Sequence, residues 1–73
     1  VLIKPIQIAT GIDMDNIYVM DSGGSQIAQY QKDGVLKNSY RADILKNAKA
    51  FTISSDEKTI YVLSGNKIWK LNP

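Results

Sequence analysis

One stretch of this chain is written twice. Ile17-Tyr18-Val19-Met20 returns as Ile60-Tyr61-Val62-Leu63, 43 residues later. The same offset aligns Ile8 with Phe51, Thr10 with Ile53 and Asp13 with Asp56. Past the apolar stretch the offset falls to 41, so that Ile27 aligns with Ile68 and Tyr30 with Leu71. The change falls in a turn, because Asp21-Ser22-Gly23-Gly24-Ser25-Gln26 is two residues longer than Ser64-Gly65-Asn66-Lys67. A unit repeated at this period hides its apolar faces by stacking on its neighbours, so the duplication constrains the fold more than any single motif does.

Each unit reads as short strands separated by turn chemistry, which makes the chain all-β. Ile6–Thr10 is a first strand entered through Pro5, whose nitrogen donates no ladder hydrogen bond. Asp13-Met14-Asp15-Asn16 is a turn, because short Asp and Asn side chains bond neighbouring amides. Ile17–Met20 is apolar throughout rather than alternating, which predicts a strand covered on both faces. Gly23-Gly24 supplies the next reversal, Ile27–Gln31 the third strand, and the Asp33-Gly34 hairpin signal leads to a fourth strand over Val35–Tyr40. The second unit runs Ala50–Ser54, a turn at Ser55–Lys58, Thr59–Leu63, a turn at Gly65-Asn66 and Lys67–Leu71, and stops before a fourth strand. Between the units, Ile44 and Ala48 of residues 41–49 stand at helical spacing with Phe51 just beyond, and Asp43 is the N-cap. Nine residues are too few for an independent helix, so this is a linker with at most one helical turn. Ten Ile, four Val and three Thr favour strand over helix throughout.

Antiparallel four-stranded meanders repeating at about 40–45 residues are the mark of a β-propeller blade. The run Asp15-Asn16-Ile17-Tyr18-Val19-Met20-Asp21-Ser22-Gly23-Gly24-Ser25-Gln26-Ile27 resembles the NHL-type, six-bladed propeller repeat, and Gln29-Tyr30-Gln31-Lys32-Asp33-Gly34 resembles the segment that follows it. Asn16 and Asp21 stand where that pattern has Asn and Asp, and Gln26 where Arg is common. The second unit departs from it, with Ser64 in the Asp position and Lys67 in the Arg-like one. The resemblance implies a single propeller segment over residues 1–73, with a first blade at 6–40 and an incomplete second blade at 50–71. The second lacks its fourth strand unless the β-prone Val1-Leu2-Ile3 completes it. A ring needs about four blades at least, so the chain is expected to be an excerpt of a longer propeller or to close with other copies of itself. With no Met at its start, any targeting segment is expected to lie outside it.

The resemblance implies a scaffold that presents ligands or binds partners and is not catalytic on its own. The alternative it implies is a fragment of a six-bladed propeller hydrolase or lactonase whose catalytic groups lie mostly on other blades. Composition favours the scaffold. Without histidine or cysteine there is no thiolate or imidazole metal site, no cysteine nucleophile and no histidine-based triad. Gln7, Thr10 and Thr52 on the first strands are polar but uncharged. The expected binding surface is the pair of loops after each second strand: Asp21, Ser22, Gly23, Gly24, Ser25 and Gln26 in one, Ser64, Gly65, Asn66 and Lys67 in the other. They would take a protein or a small ligand, because loops on a rigid frame carry recognition. Asp21 is also expected to have a structural task, its carboxylate accepting amides of the turn that follows.

Other readings of the charged and glycine-rich stretches are weaker. Asp13, Asp15 and Asn16 offer hard oxygens but lack the glycine and distal glutamate of a calcium loop, and the second unit puts Lys58 among its turn residues, so no metal is expected. Asp21–Ser25 is followed by no Gly-Lys-Ser/Thr and opens no helix, so no nucleotide cofactor is expected. The charge is uneven: two lysines face four aspartates in residues 1–36, and seven bases face three acids in residues 37–73. The bases are scattered singly, as edge-guarding lysines are, which argues against nucleic acid. Trp69 is expected between the sheets, on the face opposite Lys67 and Lys70. No apolar run exceeds four residues, so nothing here is long enough to span a bilayer as a helix.

Overall fold

Among the described residues seven strands form in chain order: β1 (Pro5–Ala9), β2 (Asn16–Asp21), β3 (Gln26–Gln31), β4 (Leu36–Arg41), β5 (Ala48–Ile53), β6 (Ile60–Ser64) and β7 (Lys67–Leu71). They are seen in a computed structural model that describes residues 2–72. The first sheet has the order β1-β2-β3-β4 and the second β5-β6-β7, and every pairing is antiparallel. The chain is therefore all-β, in two meanders.

The sheets repeat one another residue by residue. In the first, Gln7, Ile8 and Ala9 face Met20, Val19 and Tyr18. In the second, Ala50, Phe51 and Thr52 face Leu63, Val62 and Tyr61, the same pairs displaced by the sequence offset. Tyr18 faces Gln29 as Tyr61 faces Lys70, and Met20 faces Ile27 as Leu63 faces Ile68. Even the irregularities coincide, with a register shift between Pro5 and Gln7 and another between Ala48 and Ala50. A register slip of one residue would turn every side chain to the other face, so this agreement fixes equivalent faces on the two sheets.

The faces meet head to tail. Tyr18, Met20 and Ile27 of the first sheet pack against Phe51, Ile60 and Val62 of the second in one buried cluster closed by Leu45 and Ala48. By strand alternation, Ile60 and Val62 match Ile17 and Val19 of the first sheet, not Tyr18 and Met20. Each sheet thus covers one face only. The expectation that Ile17–Met20 is covered on both faces is met on one face only: Tyr18 and Met20 are buried and Ile17 and Val19 half-buried, and in the second unit Tyr61 is 40% exposed and Leu63 39%.

The link between the sheets is one 3-10 turn, Asp43–Asn47. Its N-cap is Ala42 rather than Asp43, which lies in the first turn and makes no capping bond. Leu45, fully buried, holds this turn on the core, a role not expected from its sequence position. In the repeat it corresponds to Leu2, so the turn is the leading segment of the second unit. The proposed strand at Val1-Leu2-Ile3 does not form on β7 among the described residues, and Val1 lies outside them. Ile3 and Lys4 instead lie at the β2–β3 turn.

Candidate functional site

Asp21 ends β2 with no exposed surface. Its carboxylate accepts the backbone N–H groups of Ile3 at 2.9 Å and Lys4 at 2.6 Å, and the Gln26 side-chain amide at 2.8 Å. The N–H of Gly24 adds a fourth donor, the part of this cluster that belongs to the following turn. The expected structural task is present, but most of the amides come from the leading segment. Gln26 in turn accepts from Ser39 on β4, and Ser22 donates its N–H to the Lys4 carbonyl. Burial pushes the Asp21 carboxyl up, but the bonds from Gln26, Ile3, Lys4 and Gly24 outweigh it and hold the group at about 2.

The glycines of this loop serve close approach. A Cβ on Gly23 would come within 2.8 Å of Ile3 Cγ2, and one on Gly24 within 2.9 Å of Asp21 Oδ2. The left-handed residue of the turn is Ser25, with φ 50°, and not either glycine of the expected reversal. Of the six candidate residues here, Asp21 and Gln26 are buried, Ser22, Gly24 and Ser25 half-buried, and only Gly23 is exposed. The loop is thus packed against its own chain.

The second loop differs. Ser64, in the Asp21 position, has a short hydroxyl that donates to the Ile44 carbonyl at 2.9 Å, the corresponding leading segment. Gly65, Asn66 and Lys67 are exposed. With Asp43, Ile44, Asn47 and Trp69 they line a shallow open cleft, which none of residues 21–26 joins. The two candidate loops therefore do not form one site. Lys67 and Trp69, two apart on β7, share a face, with Nζ 6.0 Å from the ring centroid. The expectation that Trp69 opposes Lys67 is corrected by the two-residue period of a strand. Trp69 lies opposite Val62 but is 40% exposed, at the edge of the stack rather than in its core.

A second polar cluster joins the sheets. Glu57, in the β5–β6 turn with φ 61°, places its carboxylate over the first sheet. It accepts the Asp15 N–H at 2.8 Å, the Asn16 side-chain amide at 3.0 Å and the Tyr18 hydroxyl at 3.1 Å. The Tyr18 oxygen accepts from Gln29 at 2.9 Å, and Gln29 Oε1 accepts from Tyr40 at 3.0 Å and Asn38 at 3.2 Å. Gln7 makes a second pin, its side-chain amide bonding both the carbonyl and the N–H of Phe51 at 3.0 and 3.1 Å. Sequence reasoning missed Glu57, and read Gln7 only as a polar, uncharged residue of the first strand rather than as a link to the next sheet. Burial raises Glu57, but the Asp15, Asn16 and Tyr18 donors outweigh it and hold its carboxyl below the usual range.

Burial pushes the Tyr18 hydroxyl up to about 12, with the Gln29 bond opposing and the Glu57 charge adding to the rise. A phenol raised above its usual value of 10 stabilises the fold below pH 10, and that stability is lost as pH rises toward 12. Tyr18→Phe is therefore expected to flatten the alkaline limb of the stability curve between those values, read by urea unfolding at stepped pH. A limb as steep as in the unchanged chain would remove Tyr18 as its source.

The two buried or bridging carboxylates thus hold structure rather than a substrate. Asn16, one of the oxygens weighed for calcium, gives its amide to Glu57, and no cluster of three acidic, His or Cys side chains suited to a metal occurs among the described residues. Fold and site together define an all-β chain of two stacked, register-matched meanders, with one packed loop and one open one. The chain matches no family model, and no curated protein or solved structure matches it.

Proposed function

We propose that the chain is a propeller-type scaffold that binds partners and is not catalytic on its own. The observation that carries this reading is the head-to-tail stacking of two register-matched sheets, with the first strands β1 and β5 side by side. Blades arranged around an axis have this relation, and further blades, from other copies or from elsewhere in a longer chain, would close the ring. The open loop Ser64–Lys67 and its cleft with Asp43, Asn47 and Trp69 are the surface offered to a protein or small ligand. The loop Asp21–Gln26 serves instead as the clasp that fixes the leading segment. Asp21 and Glu57, engaged by backbone and side-chain donors and held ionised at neutral pH, are not proton donors for catalysis.

Small-angle X-ray scattering over a concentration series tests the scaffold reading. A propeller-type assembly is expected to pass, as concentration rises, from the 8.1 kDa chain to one flat, disc-like particle whose mass then stays fixed. Particles that lengthen steadily with concentration would overturn ring closure, because open stacks grow without limit.

A further inference from the structure

The repeat also states what the two uncovered sheet faces are made of. Tyr61, Leu63 and Ile68 on the free face of the second sheet occupy the positions of Tyr18, Met20 and Ile27, which form the covered face of the first. Ile8, Ile17 and Val19 on the free face of the first sheet occupy the positions of Phe51, Ile60 and Val62, which form the covered face of the second. Both halves of the interface that the chain makes internally are therefore present again, unpaired, on its outside. Side chains on these faces include Ile8 at 62% exposed and Ile68 at 75%, and a shallow apolar groove runs over Ala50, Thr52, Tyr61, Leu63 and Ile68.

We propose that the free face of the second sheet binds the free face of the first sheet in a second copy of this chain, head to tail. The occupant follows from continuity with the interface already present, since the same side-chain positions would meet in the same order. A contiguous apolar sheet face of this kind is the usual mark of an association surface. Contact of this type is heterologous: each copy uses one face as donor and the other as acceptor, unlike a twofold dimer that uses one patch twice. The polar pins are not repeated across the new contact. Ala50 takes the place of Gln7, and Met14 the place of Glu57, while Lys70, paired with Tyr61, brings a charge to the same face, so the intramolecular stack is fixed by hydrogen bonds that the outer one lacks. Association is accordingly weaker than the internal packing and depends on concentration. The proposal rests on the stacked-repeat reading but not on ring closure.

The test uses two exposed positions, Ile8→Glu on one face and Ile68→Glu on the other, with mass followed by sedimentation equilibrium. Unchanged chain is expected to associate at high micromolar concentration, and each variant alone to stay at 8.1 kDa or give at least a tenfold weaker association. An equal mixture of the two variants is expected to form a one-to-one heterodimer, because each retains the face the other lacks. A chain that stays monomeric over the whole range overturns the proposal and leaves the free faces to a different partner. So does an Ile8→Glu variant that associates as the unchanged chain does, which is the mark of a twofold dimer through the second sheet. Methyl NMR on the unchanged chain needs no variant to fold. On dilution, Ile8, Ile17 and Val19 must shift together with Leu63 and Ile68, while Met20 and Val62 stay fixed; movement on one face alone overturns the pairing. Rescue by mixing without a disc of fixed mass would uphold this contact and retire the ring, and a fixed-mass disc without rescue would do the reverse.

Discussion

Asp21→Ala is expected to destabilise the monomeric chain by about 3 kcal/mol, because each stranded buried donor costs about 1–3 kcal/mol and relaxation recovers part of the sum. The carboxylate is fully buried and takes the N–H groups of Ile3 and Lys4 and the amide of Gln26. With the carboxylate gone, these donors lose the acceptor they share. Asp21→Asn keeps one acceptor oxygen but turns an N–H₂ group toward donors, so it is expected to cost nearly as much as alanine. Ser22→Ala, on the half-buried neighbour whose hydroxyl makes only a 3.5 Å contact with the Lys4 carbonyl, is the matched control and is expected to lie within about 0.5 kcal/mol of neutral. Urea unfolding at low micromolar concentration measures all three. A cost below about 1 kcal/mol for the alanine variant would show that the clasp on Ile3 and Lys4 contributes little to the fold.

The same group sets the acid limb. With a folded value of about 2 against 3.8 for a free carboxyl, Asp21 stabilises the fold at all pH values above about 4. This contribution fades as pH falls from 4 toward 2, since the folded chain must then take up a proton that the clasp resists. Asp21→Asn has no such ionisation, and its stability is expected to fall less over that window. Glu57, also held below its usual range, acts in the same direction.

The strands and turns were legible because their causes are local. β-branched residues, Pro5 at a strand entrance and Asp33-Gly34 in a hairpin act within a few positions, and the Gly34 N–H closes that turn on the Gln31 carbonyl at 2.9 Å. The duplication was legible at the level of register, since the change of offset inside the β2–β3 loop appears in the paired strands as well. What could not be read was which face of each sheet is covered. Ile17-Tyr18-Val19-Met20 is apolar on both sides, so periodicity carries no sign of direction there. Trp69 failed for a simpler reason, a miscounted alternation. Leu45, Ile3 and Lys4 owe their roles to contacts with residues distant in sequence, and no local propensity marks them. The candidate loop Asp21–Gln26 looked open because its composition is that of a turn. Yet two glycines side by side also permit a second segment to approach closely, which is what Ile3 and Lys4 do. Composition alone does not separate these uses of glycine.

Glu57→Ala is expected to cost about 2–3 kcal/mol, because it strands the Tyr18 hydroxyl, the Asn16 amide and the Asp15 N–H at the seam between the sheets, at about 1 kcal/mol each after partial hydration. The residue was invisible to sequence reasoning, since an acid in a turn beside Lys58 reads as solvated. Its backbone separates two effects. At φ 61° a side-chain-bearing residue is strained, and glycine at this position relieves the strain while removing the carboxylate. Glu57→Gly is therefore expected to be less costly than Glu57→Ala by about 1 kcal/mol, although glycine usually loosens a chain. Glu57→Gln keeps an acceptor for Tyr18 but opposes the Asp15 N–H with its own amide, and should fall between the unchanged chain and alanine. A double-mutant cycle of Glu57→Ala with Tyr18→Phe isolates the seam, with a coupling of about 1 kcal/mol expected for neighbours in one hydrogen-bond network. Zero coupling, or an alanine variant as stable as the unchanged chain, would mean that the Glu57 cluster adds nothing to the apolar packing of Tyr18, Met20, Ile60 and Val62 and the Gln7 pin. In that case the Gln7 pin on Phe51 would be left as the polar difference between a pinned pair of sheets and a reversible contact between copies.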